Sequence, residues 1–301
     1  MPTDQRLIED TIPIEAISAV AGHTSVCEDD PEVNAANLQR LRDTIDLADE
    51  LRQERQPAIV CSLLGGHVDD WGRVKDRVVE RVGALGDYAA GKGVIFACEP
   101  HSGTAFDLPR KAVWLMEQLQ HPAVRINFDI SHFDILAIPS AECVPQMAPW
   151  SVHTHVKDQR GIYPYHEFLT PGAGPFDFIG YLKAMHAAGY TGWIGMEVSV
   201  MVQRQPGYDP FVDAALGYYA LKHAFCMSGV PLEECSATLR TPLDQPHGEE
   251  LLRCVYHHAD RACISIRNAL LPARCSLMPD SRNLHLRQSA HQSPKRRGVG
   301  A

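Results

Sequence analysis

Four polar side chains close four successive apolar runs: Glu99 in VIFACEP, Asp129 in VRINFDISH, His155 in SVHTHVKD and Glu197 in WIGMEV. Three carboxylates and one imidazole make a hard, mostly oxygen donor set suited to Mn2+, Mg2+ or Co2+, with Zn2+ also accommodated. Each is separated from the next by roughly one strand–helix–strand repeat. If the runs are parallel neighbours, their carboxyl ends open on one face and the four groups converge there. Taken singly, Glu99 could belong to a buried ion pair and Asp129 could cap a helix. Recurrence at the same end of four consecutive strands favours one divalent metal ion instead.

Further polar groups flank these ends. His132 follows Asp129 by three positions on the segment leaving the same strand and could bond a substrate carbonyl. His153 alternates with His155, so both should face one side, as a supporting group or a core histidine. Lys157 could point inward and stabilise negative charge, or remain a solvated loop lysine. His101 and Arg160 are candidate substrate contacts. His23 and His67 each close a strand with a Gly-His step and could hydrogen-bond substrate at the same mouth. Trp71, Trp150 and Trp193 read as packing residues and Trp114 as a core residue.

The elements that must position these groups are legible as periods. Residues 14–22 read as a strand, and the following VNAANLQRLRDTIDLADEL places Leu38, Leu41, Ile45, Ala48 and Leu51 on one helical face. A buried strand over 58–64 ends in Gly65-Gly66-His67. The next helix turns Val74, Val78, Val82 and Leu85 inward before Gly91 and Gly93 end it. Strand 94–98 delivers Glu99. Asp107 and Pro109 mark another helix start, with Val113, Met116 and Leu119 as its buried face. Strand 124–128 delivers Asp129, and a short helix near 140–148 leads to strand 151–156. A Gly- and Pro-rich loop over 158–175 precedes the helix of FDFIGYLKAMHAA, which Gly189 closes. Strand 192–198 carries Glu197, and a last helix spans about 210–227.

Six strand–helix units in strict alternation predict an α/β fold with a parallel sheet covered by helices. A closed eightfold barrel needs two more units of about 30 residues each, which the residues before the first strand cannot hold. The expectation is a (β/α)8 TIM-barrel type of fold short of its first two strands. Its open edges could favour a homo-oligomer.

The 301 residues are 45% hydrophobic, enough for one large domain, here 1–228. The net charge of −9 speaks against nucleic acid as a partner. After residue 229 ten Lys and Arg outnumber seven Asp and Glu, the apolar period fades and the chain ends in HQSPKRRGVGA. Residues 229–301 are therefore expected to be a disordered tail with one helix near 248–270. Cys235, Cys254, Cys263 and Cys275 in it lack the spacing of a zinc module. Nine cysteines without framework spacing point to reduced thiols and a cytoplasmic protein, with Cys61, Cys98 and Cys226 packed in apolar surroundings. The N-terminus is too acidic for a signal peptide, and no apolar run approaches the roughly 18 residues of a membrane span.

CEPH, NFDISH, HTHVKD and PGAGPFDFIGYLKAMHAAGYTGWIGMEV, in that order, resemble the sugar phosphate isomerase/epimerase superfamily with its xylose isomerase-like TIM barrel, over about residues 14–228. The resemblance implies that Glu99, Asp129, His155 and Glu197 hold the metal, Mn2+ first among the candidates, and that His132 bonds a substrate carbonyl. It also implies that the chain begins near the third barrel strand. It points to a small carbohydrate substrate and an isomerase or epimerase that works through an enediolate, with Glu99 and Glu197 as the acid/base pair. A keto-polyol dehydratase shares the first half of that chemistry. The endonuclease IV-like branch of metal phosphodiesterases adds histidines in places such as His23 and His67. It also needs an Asp-x-His pair where residues 158–175 carry only His166-Glu167. A barrel lacking two strands could also be an inactive relative.

Overall fold

The structure is a computed structural model that describes residues 17–20, 24–52 and 58–232. Strands β1 (Ile17–Val20), β2 (Ala58–Leu63), β3 (Ile95–Glu99), β4 (Val124–Asp129) and β5 (Ser151–Val156) are followed by a hairpin, β6 (Asp158–Ile162) and β7 (Tyr165–Leu169), and by β8 (Gly195–Met196). One six-stranded sheet runs β1-β2-β3-β4-β5-β8, and every pairing in it is parallel. Because spatial order follows chain order, each connection is a strand–helix–strand step, and the strands' carboxyl ends share one face. Among the described residues β1 and β8 each pair on one side only, so the sheet is an open portion of a TIM-barrel-type wall.

The apolar periods set which faces the helices bury. In α1 (Pro31–Leu51), capped by Asp30, the buried residues are Leu41, Ile45 and Ala48, while Leu38 and Leu51 are half-buried. In α2 (Trp71–Lys92), Val74, Val78, Val82 and Leu85 are wholly inside, and Gly93 ends the helix at φ 68°. A β-branched or bulky residue would be strained there. In α3 (Pro109–Leu119) Met116 is buried as expected, together with Ala112 and Leu115, while the expected Val113 and Leu119 are half-buried. Its cap also differs. Leu108 holds the N-cap position, and Asp107 instead pairs at 2.6 Å with the buried Lys111, whose ammonium also donates to the Ala105 carbonyl. Helices α4 (Ile130–Asp134), α5 (Ser140–Met147), α6 (Phe178–Ala187), α7 (Val200–Gln203) and α8 (Pro210–Ser228) complete the described elements.

Residues 158–169 are an antiparallel hairpin rather than a loop, paired from Asp158↔Leu169 to Ile162↔Tyr165. Gly161 and Pro164 interrupt its two short runs, which hid their alternation in the sequence; the Tyr163–Pro164 turn bond is cis. β8 is shorter than expected, although the Glu197 N–H still donates to Val156 at 3.0 Å and continues the pairing one residue further. Trp193 and Cys226 are exposed, contrary to the packing expected of them. Trp71, Trp114 and Trp150 are half-buried, the first two meeting edge to face. His23, the four tail cysteines and the tail from 233 onward lie outside the described residues. Among the described residues no helix is long and apolar enough to cross a membrane.

Candidate metal centre at the strand ends

β3, β4 and β5 end side by side, and the register sets Asp129 opposite His155. Glu99 closes β3 and Glu197 follows β8. Each of these four offers one ligand atom, and all the ligand atoms lie within 4.8 Å of one another. Opposite ligands at about 2.0–2.3 Å from a cation stand up to about 4.6 Å apart, so the spacing is close to that of one divalent ion and the donor set suits it.

Neighbours fix each ligand. The Asn127 amide donates to Glu99 Oε2 at 2.8 Å and lies 3.1 Å from His155 Nδ1, so one buried side chain aligns two of the four. Asp129 does two jobs with two oxygens. Its Oδ1 caps α4, accepting from the Ser131 N–H at 2.9 Å and the Ser131 hydroxyl at 2.6 Å. Its Oδ2 lies 2.8 Å from the Lys157 ammonium but receives no well-directed hydrogen bond. The same ammonium lies 2.8 Å from Glu197 Oε1, while Glu197 Oε2 is 3.1 Å from His155 Nδ1.

The charges hold one another. Burial alone would raise the Glu99 carboxyl, but His132 and His155 keep it well below the usual range. Burial likewise opposes ionisation of Glu197, yet His155 and Lys157 hold it down at about 2. For His155 burial disfavours the imidazolium, and Glu197 and Glu99 overcome it, holding the group up at about 10. Burial also disfavours the Lys157 ammonium, and Asp129 and Glu197 nevertheless raise its pKa above the ordinary lysine value. His101 and His153 are pushed down to about 4, chiefly by burial.

His132 is fully buried beside this cluster. Its Nδ1 lies 3.1 Å from Ser102 Oγ, and its Nε2 faces Glu99 Oε1 at 3.6 Å and Asp129 Oδ2 at 3.5 Å. The His101 ring lies against it, tilted by 41°, with centroids 3.8 Å apart. The hairpin supplies a wall. Phe168 of β7 meets His132 edge to face, and the Lys157 ammonium sits 4.8 Å from the Phe168 ring. Asp158 anchors that wall, its carboxylate accepting from the backbone N–H groups of Gln159, Gly172, Gly174 and Phe176.

The fold thus gathers Glu99, Asp129, His155, Glu197, His132, Lys157 and His101 in one cluster, with His153 next to His155 at 5.3 Å between rings. Two of the expected substrate contacts stand apart. His67 caps a short 3-10 turn, accepting from the Asp69 N–H with its side chain 70% exposed. Arg160 is committed to Glu167 across the exposed hairpin, at 2.7 and 2.8 Å. Asn127 and Ser102 were not singled out from sequence. Asn127 carries a signal, since it precedes Asp129 by two residues on one strand and so shares its face. Ser102 carries none, because its partner is thirty residues away.

The sequence model of the family described as Xylose isomerase-like TIM barrel matches residues 4–213. An inosose dehydratase of Geobacillus thermodenitrificans (strain NG80-2) is 26% identical over 142 residues, which is 40% of this chain and 46% of that protein. The chain therefore matches about half the length of that curated relative. Among solved structures, a D-tagatose 3-epimerase-like protein superposes with a TM-score of 0.62 at 20% identity, over 76% of this chain and 85% of the other. A xylose isomerase-like TIM barrel protein from Mycobacterium smegmatis, in complex with magnesium, gives 0.55 at 22% identity, over 74% and 76%.

Proposed function

We propose that this chain, which belongs to the xylose isomerase-like TIM barrel family, is a divalent-metal-dependent isomerase or epimerase of a sugar, keto-polyol or sugar derivative that acts through an enediolate. The observation that carries the reading is the convergence of Glu99, Asp129, His155 and Glu197 at adjacent strand ends. These four would hold one divalent ion, Mn2+ foremost. When bound, the ion supplies Lewis-acid stabilisation of negative charge on neighbouring substrate oxygens.

The chain's own residues supply the proton chemistry. Glu197, held down at about 2, is a carboxylate at neutral pH and is the less buried of the two glutamates. It is the base that takes the proton from the carbon beside the carbonyl. Glu99, separated from it in the sheet by β4 and β5, serves the other face of that carbon. His132 Nε2, buried and without a hydrogen-bond partner, offers its N–H to the substrate carbonyl. His101 lies against the His132 ring and lines the same side. The relationship to an inosose dehydratase favours one second reading, dehydration of a keto-polyol, which begins with the same deprotonation. The phosphodiesterase reading has less support: His67 is an exposed turn cap outside the ligand cluster.

Incubation with ketoses and keto-polyols in D2O at saturating Mn2+ tests the reading. Deuterium should enter beside the carbonyl, and Glu197→Gln should slow exchange by at least about 10²-fold. Cleavage of a phosphodiester with no exchange in a broad sugar panel would replace the reading with a hydrolase.

A further inference from the structure

We propose that Lys157 is the fixed counter-ion of this site: its ammonium ties Asp129 to Glu197 when no metal is bound and sets how tightly a divalent cation is held. The inference rests on the metal-site reading above.

Three observations carry it. The ammonium lies 2.8 Å from Asp129 Oδ2 and 2.8 Å from Glu197 Oε1, so it bridges two of the four candidate ligands. Its side chain is 3% exposed and the Phe168 ring lies 4.8 Å away, so it is part of the interior rather than a solvated loop lysine. Asp129 Oδ1 is already committed to Ser131. Oδ2 is therefore the oxygen left for a cation, and it is the one Lys157 reaches.

Charge arithmetic follows. With the His155 imidazole as a neutral ligand, three carboxylates and one ammonium sum to two negative charges, which one divalent ion cancels. Without the ammonium the cluster carries one more negative charge, and its carboxylates repel one another more strongly in a partly buried space. Lys157 therefore acts with opposite sign in the two states. In the metal-free protein it holds Asp129 and Glu197 together, and in the loaded protein it would repel a cation held by the same carboxylates. A lysine that merely met substrate would produce neither effect.

The test is Lys157→Met, produced with Mn2+ and then stripped by chelation, beside wild type and Lys157→Arg. Calorimetric titration with Mn2+ should show Lys157→Met binding at least about tenfold more tightly than wild type, with Lys157→Arg close to wild type. Stripped Lys157→Met should melt at least about 5 °C below stripped wild type, and Mn2+ should remove the difference. Mn2+ binding by Lys157→Met that is unchanged or weaker overturns the proposal. So does a stripped variant as stable as wild type, or a variant that fails to fold even with Mn2+ present. Wild-type protein that binds no Mn2+ would instead sink the metal-site reading itself, so the two failures are distinguishable.

Discussion

Ser102 Oγ lies 3.1 Å from His132 Nδ1, and this contact fixes what the other imidazole nitrogen offers the site. Nε2 faces two carboxylate oxygens, at 3.5 and 3.6 Å, so it carries a hydrogen toward them, while Ser102 holds the ring from its Nδ1 side. Ser102→Ala should remove that contact. We expect the His132 Nδ1 resonance to move in 15N NMR and a stability loss of about 1 kcal/mol. An unchanged Nδ1 resonance in the variant would mean that the carboxylates orient the ring alone.

Asp129 divides its oxygens between a helix cap and the ligand cluster, so two variants should separate the jobs. Asp129→Ala loses both, with about 0.5–2 kcal/mol from the cap alone. Asp129→Asn keeps an oxygen for the Ser131 N–H but loses the charged ligand. Elemental analysis after dialysis against Mn2+ should find both variants depleted of metal. Metal content equal to wild type in either would remove Asp129 from the ligand set.

Asp158 gathers four backbone N–H groups from the hairpin start and the segment before α6. Asp158→Ala would leave those donors without their acceptor, at about 1–3 kcal/mol for each that stays buried and unpaired. We expect urea denaturation to report a loss of at least about 3 kcal/mol. A loss below about 1 kcal/mol would show that water replaces the carboxylate there.

The pH dependence of metal binding follows from His155. In the metal-free protein it is held up at about 10, yet a ligand nitrogen must be unprotonated. Binding therefore releases close to one proton at pH 7, and affinity should rise about tenfold per pH unit between 7 and 9. Calorimetry in buffers of different ionisation enthalpy reads the proton directly. The stability of the metal-free protein should run the other way. The His155 contribution is complete below its unfolded value of about 6.5 and is lost as pH rises through about 10. Glu197 adds stability above its unfolded value, lost as pH falls through about 2. No proton release on Mn2+ binding would place the metal away from His155.

The convergence of Glu99, Asp129, His155 and Glu197 could be read from sequence because parallel alternation sends every strand's carboxyl end to one face, so a polar residue closing an apolar run has one place to go. The inward residues of α2 were legible for a related reason, since a 3.6-residue period is a local property of the chain. The α3 stripe was legible only at Met116. Two apolar sets one position apart compete there, and burial of the Asp107–Lys111 pair goes with Ala112, Leu115 and Met116 inside.

Other features belong to the tertiary structure alone. His23 and His67 end in the same Gly-His step, yet the fold spends His67 on an exposed turn. Arg160 follows the Lys157-Asp158 pair, yet the hairpin, hidden by Gly161 and Pro164, turns it to Glu167. The reach of Lys157 to two carboxylates and of Ser102 to His132 depends on how neighbouring strands and loops lie side by side. Sequence fixes the identity and strand position of a side chain through local sterics and periodicity. Which oxygen a given ammonium or hydroxyl meets is decided by ångström-scale distances between segments far apart in the chain, and those exist only once the sheet has assembled.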